Sequence, residues 1–180
     1  ILDADASLFS SDFRGPEKLA QLLVQTAGRA GRAQIPGTAV IQTYQADHPT
    51  INILVNKGYN AFAQQELTSR QQSGLPPTGH MALFHAQAKD ATQAFALLNW
   101  LGQQVQNPVL QPLTKSLLMF GPMPAFMARR AHYYRAQLQL QHPNRKQLQQ
   151  LLQQLCHLLD QHPAARKIRW SLDIDPQELG

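Results

Sequence analysis

The sequence predicts a protein of mixed class, α/β at its N-terminus and α+β at its C-terminus. Three observations lead there. Residues 1–46 read as strand, helix, strand. Residues 47–79 read as helices closed by paired prolines. Residues 80–180 switch their apolar period from two to about 3.6 and back, twice over.

Each element has a local reason. "ILDAD" (1–5) is a short apolar run ending in acids and reads as a strand. "ASLFSSDFRG" has turn chemistry, and Pro16 stands in the first turn of a helix, where its missing N–H is harmless. Leu19, Leu22, Leu23, Thr26, Ala27 and Ala30 then repeat at helical spacing and mark a buried face. "TAVIQTY" (38–44) is β-branched and reads as a strand, so residues 1–46 resemble part of an α/β lobe. His48-Pro49 opens a short helix, and "YNAFAQQELTSRQQ" forms a second. "SGLPPTGH" ends it, because two prolines cannot extend a helix.

The pattern from His80 onward is clearer. "MALFHAQA" is strand-like, and Ala91, Ala94, Phe95, Leu98, Leu101 and Val105 form a helical stripe. "SLLMF" is a short strand closed by "GPMP". "RAQLQLQ" alternates, with Leu138 and Leu140 on one side and glutamines on the other. Leu148, Leu151, Leu152, Leu155 and Leu159 make a second helical stripe. "KIRWSLDID" alternates again through Ile168, Trp170, Leu172 and Ile174. Both alternating strands are expected to be buried on one face only. The order βαββαβ is the ferredoxin-like arrangement, two helices covering one face of an antiparallel sheet.

Composition bounds the function. A chain of 180 residues with 43% apolar content can build a real core. No apolar run approaches a membrane span, and no signal peptide opens the chain, so no membrane partner is expected. It begins at Ile1 and reads as a fragment of a longer protein. Cys156 is the single cysteine, which excludes an internal disulfide and a cysteine zinc site and fits a reducing cytoplasm. The seven histidines show no metal-ligand spacing, so no metal site is expected. His85 and His157 are expected in or beside the core, Cys156 on the apolar face of its helix, and Trp170 in the core. A net charge of +5 and a pI near 9.7 favour a polyanionic partner such as nucleic acid.

The stretch "QTAGRAGRAQIPG" carries the chemistry. Gln25, Arg29 and Arg32 fall at i, i+4 and i+7 and share one helix face, expected to border the apolar stripe. Gly28 and Gly31 remove bulk beside it. Two guanidinium groups with a clear approach suit a polyphosphate. A helix C-cap with favourable dipole charges is the plainer explanation of a single Gly-Arg pair, and two pairs in register fit it less well.

Gln-x-x-Gly-Arg-x-Gly-Arg resembles motif VI of superfamily 2 helicases, in the second RecA-like lobe. The longer "LDADASLFSSDFRGPEKLAQLLVQTAGRAGR", with "QELTSRQQSGLPP" and "GPMPAFMARRAHYYRAQLQLQHPNRKQL", resembles the PriA family (primosomal protein N′), bacterial replication-restart DNA helicases. One departure is Thr78, where the family often has an aromatic residue after the paired prolines.

The resemblance implies three parts: residues 1–46 as the end of the second helicase lobe, 47–79 as a connector, and 80–180 as an S10-like ferredoxin variant that binds DNA and partners. It implies ATP and Mg²⁺ in the complete protein, and zinc bound outside this chain. No phosphate loop is present, so the fragment alone is expected to be inactive. Arg32 is implied as the arginine finger, with Arg29 assisting and Gln25 coupling nucleotide state to lobe closure. Asp3 and Asp5, at the end of the first strand, are implied as the tail of motif V; solvated acids at a strand end is the plain alternative. Arg129, Arg130, Tyr133, Tyr134 and Arg135 are implied to contact branched and single-stranded DNA, against the alternative of a solvated strand edge with structural tyrosines. Arg145 and Gln149, one helical turn apart, are implied to hold the acidic C-terminal tail of single-stranded DNA-binding protein; without the family they would be ordinary surface. Other primosome proteins, 3′-to-5′ movement and a bacterial cytoplasm follow from the same likeness. A non-enzymatic nucleic-acid-binding or scaffold protein built on the ferredoxin-like domain is the competing reading.

Overall fold

A computed structural model describes residues 3–10, 12–30 and 38–177. The chain divides into two compact units, Ile1–Ser69 and Arg70–Gly180.

The described part of the first unit is helical: α1 (Ala4–Leu8), α2 (Gly15–Ala30), α3 (Pro49–Asn56) and α4 (Gly58–Gln72), whose last turn enters the second unit. Ala4, Leu8, Leu19, Leu23 and Ile51 form its core, with Ile41 and Leu54 packed against them. His48 caps α3: its Nδ1 accepts from the Thr50 N–H at 3.2 Å, and Pro49 follows at the first helical position.

Among the described residues, two expected strands do not form. Residues 3–8 are not the end of a strand. Asp3, at φ 56°, caps α1 by accepting from the Ala6 N–H at 3.2 Å, and Asp5 lies inside that helix. Residues 38–44 form no ladder, although their β-branched content asked for one. A strand is stable only when a neighbour pairs its backbone, and no strand is described in this unit. The segment is held instead by Asp5, whose carboxylate accepts from Thr43 Oγ1 at 2.7 Å and from the Tyr44 N–H at 2.9 Å. Those two bonds, the Thr43 one foremost, pull the Asp5 carboxyl below its ordinary pKa.

The second unit follows the expected order. β1 (His80–Ala88), α5 (Ala91–Val105), a short 3₁₀ turn (Pro108–Leu110), α6 (Gln111–Thr114), β2 (Leu118–Arg130), β3 (Tyr133–His142), α7 (Arg145–Gln161) and β4 (Arg169–Ile174) build one four-stranded sheet. Its strand order is β2-β3-β1-β4, with every pairing antiparallel. Thr78, where an aromatic residue was the family expectation, closes the turn before β1 by donating to the Leu75 carbonyl at 3.0 Å.

The core lies between the helices and one face of the sheet. Ala82, Phe84 and Ala86 of β1 and Ala136, Leu138 and Leu140 of β3 meet Leu98 and Leu101 of α5. All five leucines of the α7 stripe are buried, as their spacing predicts. Each long helix here has a side-chain cap: Asp90 accepts from Thr92 N–H at 2.9 Å, and Asn144 from Gln147 N–H at 3.1 Å. Trp170 packs against this core, as expected.

Three details differ from expectation. β2 does not stop at "GPMP" but continues through Pro122 and Pro124 to Arg130. As an edge strand it tolerates residues that cannot donate to a ladder, and its register shifts twice along the way. β3 is covered on both faces, since Gln137 and Gln141 are 7% and 5% exposed. His157 is exposed, its ring beside Gln161, whereas His142 is buried. Its Nδ1 accepts from the Asn144 N–H at 2.8 Å and its Nε2–H donates to the Lys115 carbonyl at 2.9 Å. Cys156 is half-buried, and burial, with Asp160 nearby, raises its thiol pKa, which suits packing better than nucleophilic chemistry.

Leu151 is fully buried at the middle of α7. Leu151→Ala should lower stability by about 2–5 kcal/mol in urea denaturation, while Gln150→Ala on the solvent side changes it by less than about 0.5 kcal/mol.

Candidate nucleic-acid interface

Three surfaces hold the described residues singled out above, apart from Asp3 and Asp5 of α1. The first is the C-terminal half of α2. Gln25 and Arg29 stand one turn apart and are both exposed. The buried face of α2 is Leu19, Ala20 and Leu23, while Leu22, Ala27 and Ala30 are exposed. At about 100° per residue, Gln25 and Arg29 therefore oppose the buried face rather than border it. Among the described residues Arg29 has no carboxylate partner. Among the described residues, a Cβ on Gly28 would meet nothing within 4 Å. Gly31 and Arg32 lie outside the described residues.

The second surface is the far end of the β2–β3 hairpin. Arg129 pairs with Tyr134 and Arg130 with Tyr133, across a two-residue loop. Ala131 and His132 in that loop have φ of 47° and 65°, the backbone twist of a type I′ hairpin. Alternation splits the cluster. Arg129 and Tyr134 share one face, with the guanidinium 5.2 Å from the ring centroid. Arg130, Tyr133 and Arg135 share the other, where Arg169 of β4 lies 4.9 Å from the Tyr133 ring. Those distances fit cation–π contact, which holds each arginine ready at the surface.

The third surface is the start of α7. Arg145 is its first residue, Lys146 its second, and Gln149 follows one turn on; all are exposed. Cations at a helix N-terminus oppose the macrodipole, so helix stability does not explain them. A helix start of this kind, with cations beside first-turn N–H groups, is suited to an anion.

Comparison with known proteins gives the family. Residues 71–177 match the family model of the primosomal protein N C-terminal domain. The chain belongs to the PriA family. It is 42% identical over 180 residues to the replication restart protein PriA of Haemophilus influenzae, covering 99% of this chain and 24% of that protein. The PriA of Synechocystis sp. is 34% identical over 150 residues, covering 80% of the chain and 17% of that protein. That of Bacillus subtilis is 28% identical over 176 residues, covering 98% and 21%. The chain thus spans about a quarter or less of the length of these PriA relatives.

Within this PriA-family chain, two features escaped the sequence reading. Nothing in the sequence singles out Arg169, whose stacking on Tyr133 needs the β4-β1-β3 order to bring it there. The charge pattern was legible: from Ala91 to Leu159 there is no Asp or Glu, against six Lys and Arg. Among the described residues, no group of His, Cys, Asp and Glu could hold a metal ion, and no helix is long and apolar enough to cross a membrane.

The sheet face that bears Arg135 also holds His85 and Gln137, which face each other in register. His85 Nδ1 and Gln137 Oε1 are both buried without a hydrogen-bond partner. Burial lowers the His85 pKa, Arg135 lowers it further, and Asp173 partly offsets both.

The folded state therefore prefers neutral His85. Its contribution is complete above the ordinary value of 6.5 and is lost as pH falls from there through the lowered folded value. Urea midpoints between pH 7.5 and 5 should fall in the wild type, and His85→Leu should reduce that slope. At Gly28, where a methyl group has room, Gly28→Ala should raise stability by about 0.5–1 kcal/mol in thermal denaturation.

Proposed function

We propose that this chain is the C-terminal quarter of an ATP-dependent DNA helicase that reloads the replication machinery at stalled or branched forks. The observation that carries the reading is the exposed Gln25–Arg29 ridge within the Gln-x-x-Gly-Arg-x-Gly-Arg motif of a PriA-family chain. A nucleotide bound by a partner lobe supplies the transferable phosphoryl group; this sequence has no phosphate loop of its own.

The chain's own residues then act by position and charge. Arg32 places a guanidinium against the charge that builds on the γ-phosphoryl group during transfer. Arg29 neutralises a neighbouring oxygen or an acid of the partner lobe. Gln25 reports whether the cleft is closed. Because Arg32 is permanently charged, it stabilises the transition state without a proton transfer. The second unit adds grip. Arg129, Arg130 and Arg135 meet phosphates, and Tyr133 and Tyr134 offer flat faces to bases. Arg145 and Gln149, at the cationic start of α7, take the acidic tail of single-stranded DNA-binding protein. Movement 3′-to-5′ and a bacterial cytoplasm complete the reading.

The test is Arg32→Ala in the full-length protein. DNA-stimulated ATP hydrolysis should fall by about 10³- to 10⁵-fold, with DNA affinity changed less than about twofold. Undiminished turnover ends the finger assignment. Absence of any nucleotide hydrolysis in the wild type favours the non-enzymatic scaffold.

A further inference from the structure

We infer that Phe126 is a stacking platform for an unpaired base of single-stranded DNA, set at the outer edge of the sheet by a bulge in β2. The inference rests on the reading of Arg129 and Arg130 as phosphate contacts and adds a base contact beside them.

The register shows how the bulge works. Pro124 pairs with Ala136, and the next pair is Arg129 with Tyr134. β2 thus advances five residues while β3 advances two, and the excess leaves the ladder. Ala125 stays in the core at 3% exposed and anchors the bulge. Phe126 and Met127 are pushed outward, at 77% and 50% exposed. A phenylalanine 77% exposed beside a half-exposed methionine gains little from folding, and a regular strand would have kept the alternation that hides one of them.

Charge selects the occupant. Arg129 and Arg130 follow within four residues of Phe126, and both are exposed. Arg129 is already held against Tyr134. No acid lies anywhere between Ala91 and Leu159, so a polyanion meets no repulsion from this part of the sequence. A flat apolar ring followed within four residues by two exposed arginines fits sequence-tolerant stacking.

The experiment measures binding of the 180-residue chain to fluorescein-labelled oligodeoxythymidylate and to an abasic strand of equal length, over a range of salt. Phe126→Ala should weaken binding to oligodeoxythymidylate about tenfold, leave the abasic strand unaffected and keep the salt slope. Phe126→Trp should restore affinity, and its added indole fluorescence should be quenched by oligodeoxythymidylate but not by the abasic strand. If Phe126→Ala binds both strands as the wild type does, while Arg129→Ala and Arg130→Ala weaken both and flatten the salt slope, stacking is overturned and the phosphate reading stands. If the arginine variants also change nothing, both readings fail. Wild-type self-association in sedimentation that Phe126→Ala abolishes, with DNA binding unchanged, would make the patch a protein interface and overturn the inference.

Discussion

The second unit depends on one packing constraint: the leucine stripe of α7 and the apolar face of α5 must cover the inner face of β1 and β3. Those two strands are central, so every other part of the unit is placed by reference to them. β2 extends the sheet beyond β3, and β4 extends it beyond β1. Arg130 and Arg135 of the hairpin share a face with Arg169 of β4 because β1 and β3 lie between them in register. The polar surface is in this sense a by-product of where the leucines go.

The first unit is organised differently. Its small apolar cluster is supplemented by carboxylate contacts, in which Asp3 starts a helix and Asp5 holds a later segment against it. Both acids thus have a structural role. The same is true of His142, which joins the β3–α7 turn to the end of α6 through two bonds to backbone groups. Polar residues that look exposed by type are fixed here by the hydrogen-bond needs of nearby main chain.

Much of the fold was legible, and the legible parts share a cause. Leu148 to Leu159 and Ala136 to Leu140 alternate at the periods of helix and strand because one face of each is dry. The misread parts are those in which distant residues decide. "TAVIQTY" has strand composition, but composition cannot supply a neighbouring strand. β2 was cut short at its prolines, because nothing local reveals that a strand is at an edge. Gln137 and Gln141 read as solvent positions by their chemistry and are buried by tertiary packing. Of the candidate site, the Gln25–Arg29 spacing was visible, since helix geometry alone brings them together. The Arg169–Tyr133 contact was not, because it crosses three strands. The division of Arg129 and Arg130 onto opposite faces follows from alternation and could have been read once the hairpin was assigned.

Pro122 and Pro124 have a wider consequence. An open sheet margin invites a second copy to add its own strand, and a nucleic-acid lattice that crowds many molecules together sharpens that hazard. Each proline removes an N–H that such growth would need, and the adjoining bulge breaks what continuity is left. The prolines and the bulge therefore guard this margin against polymerisation.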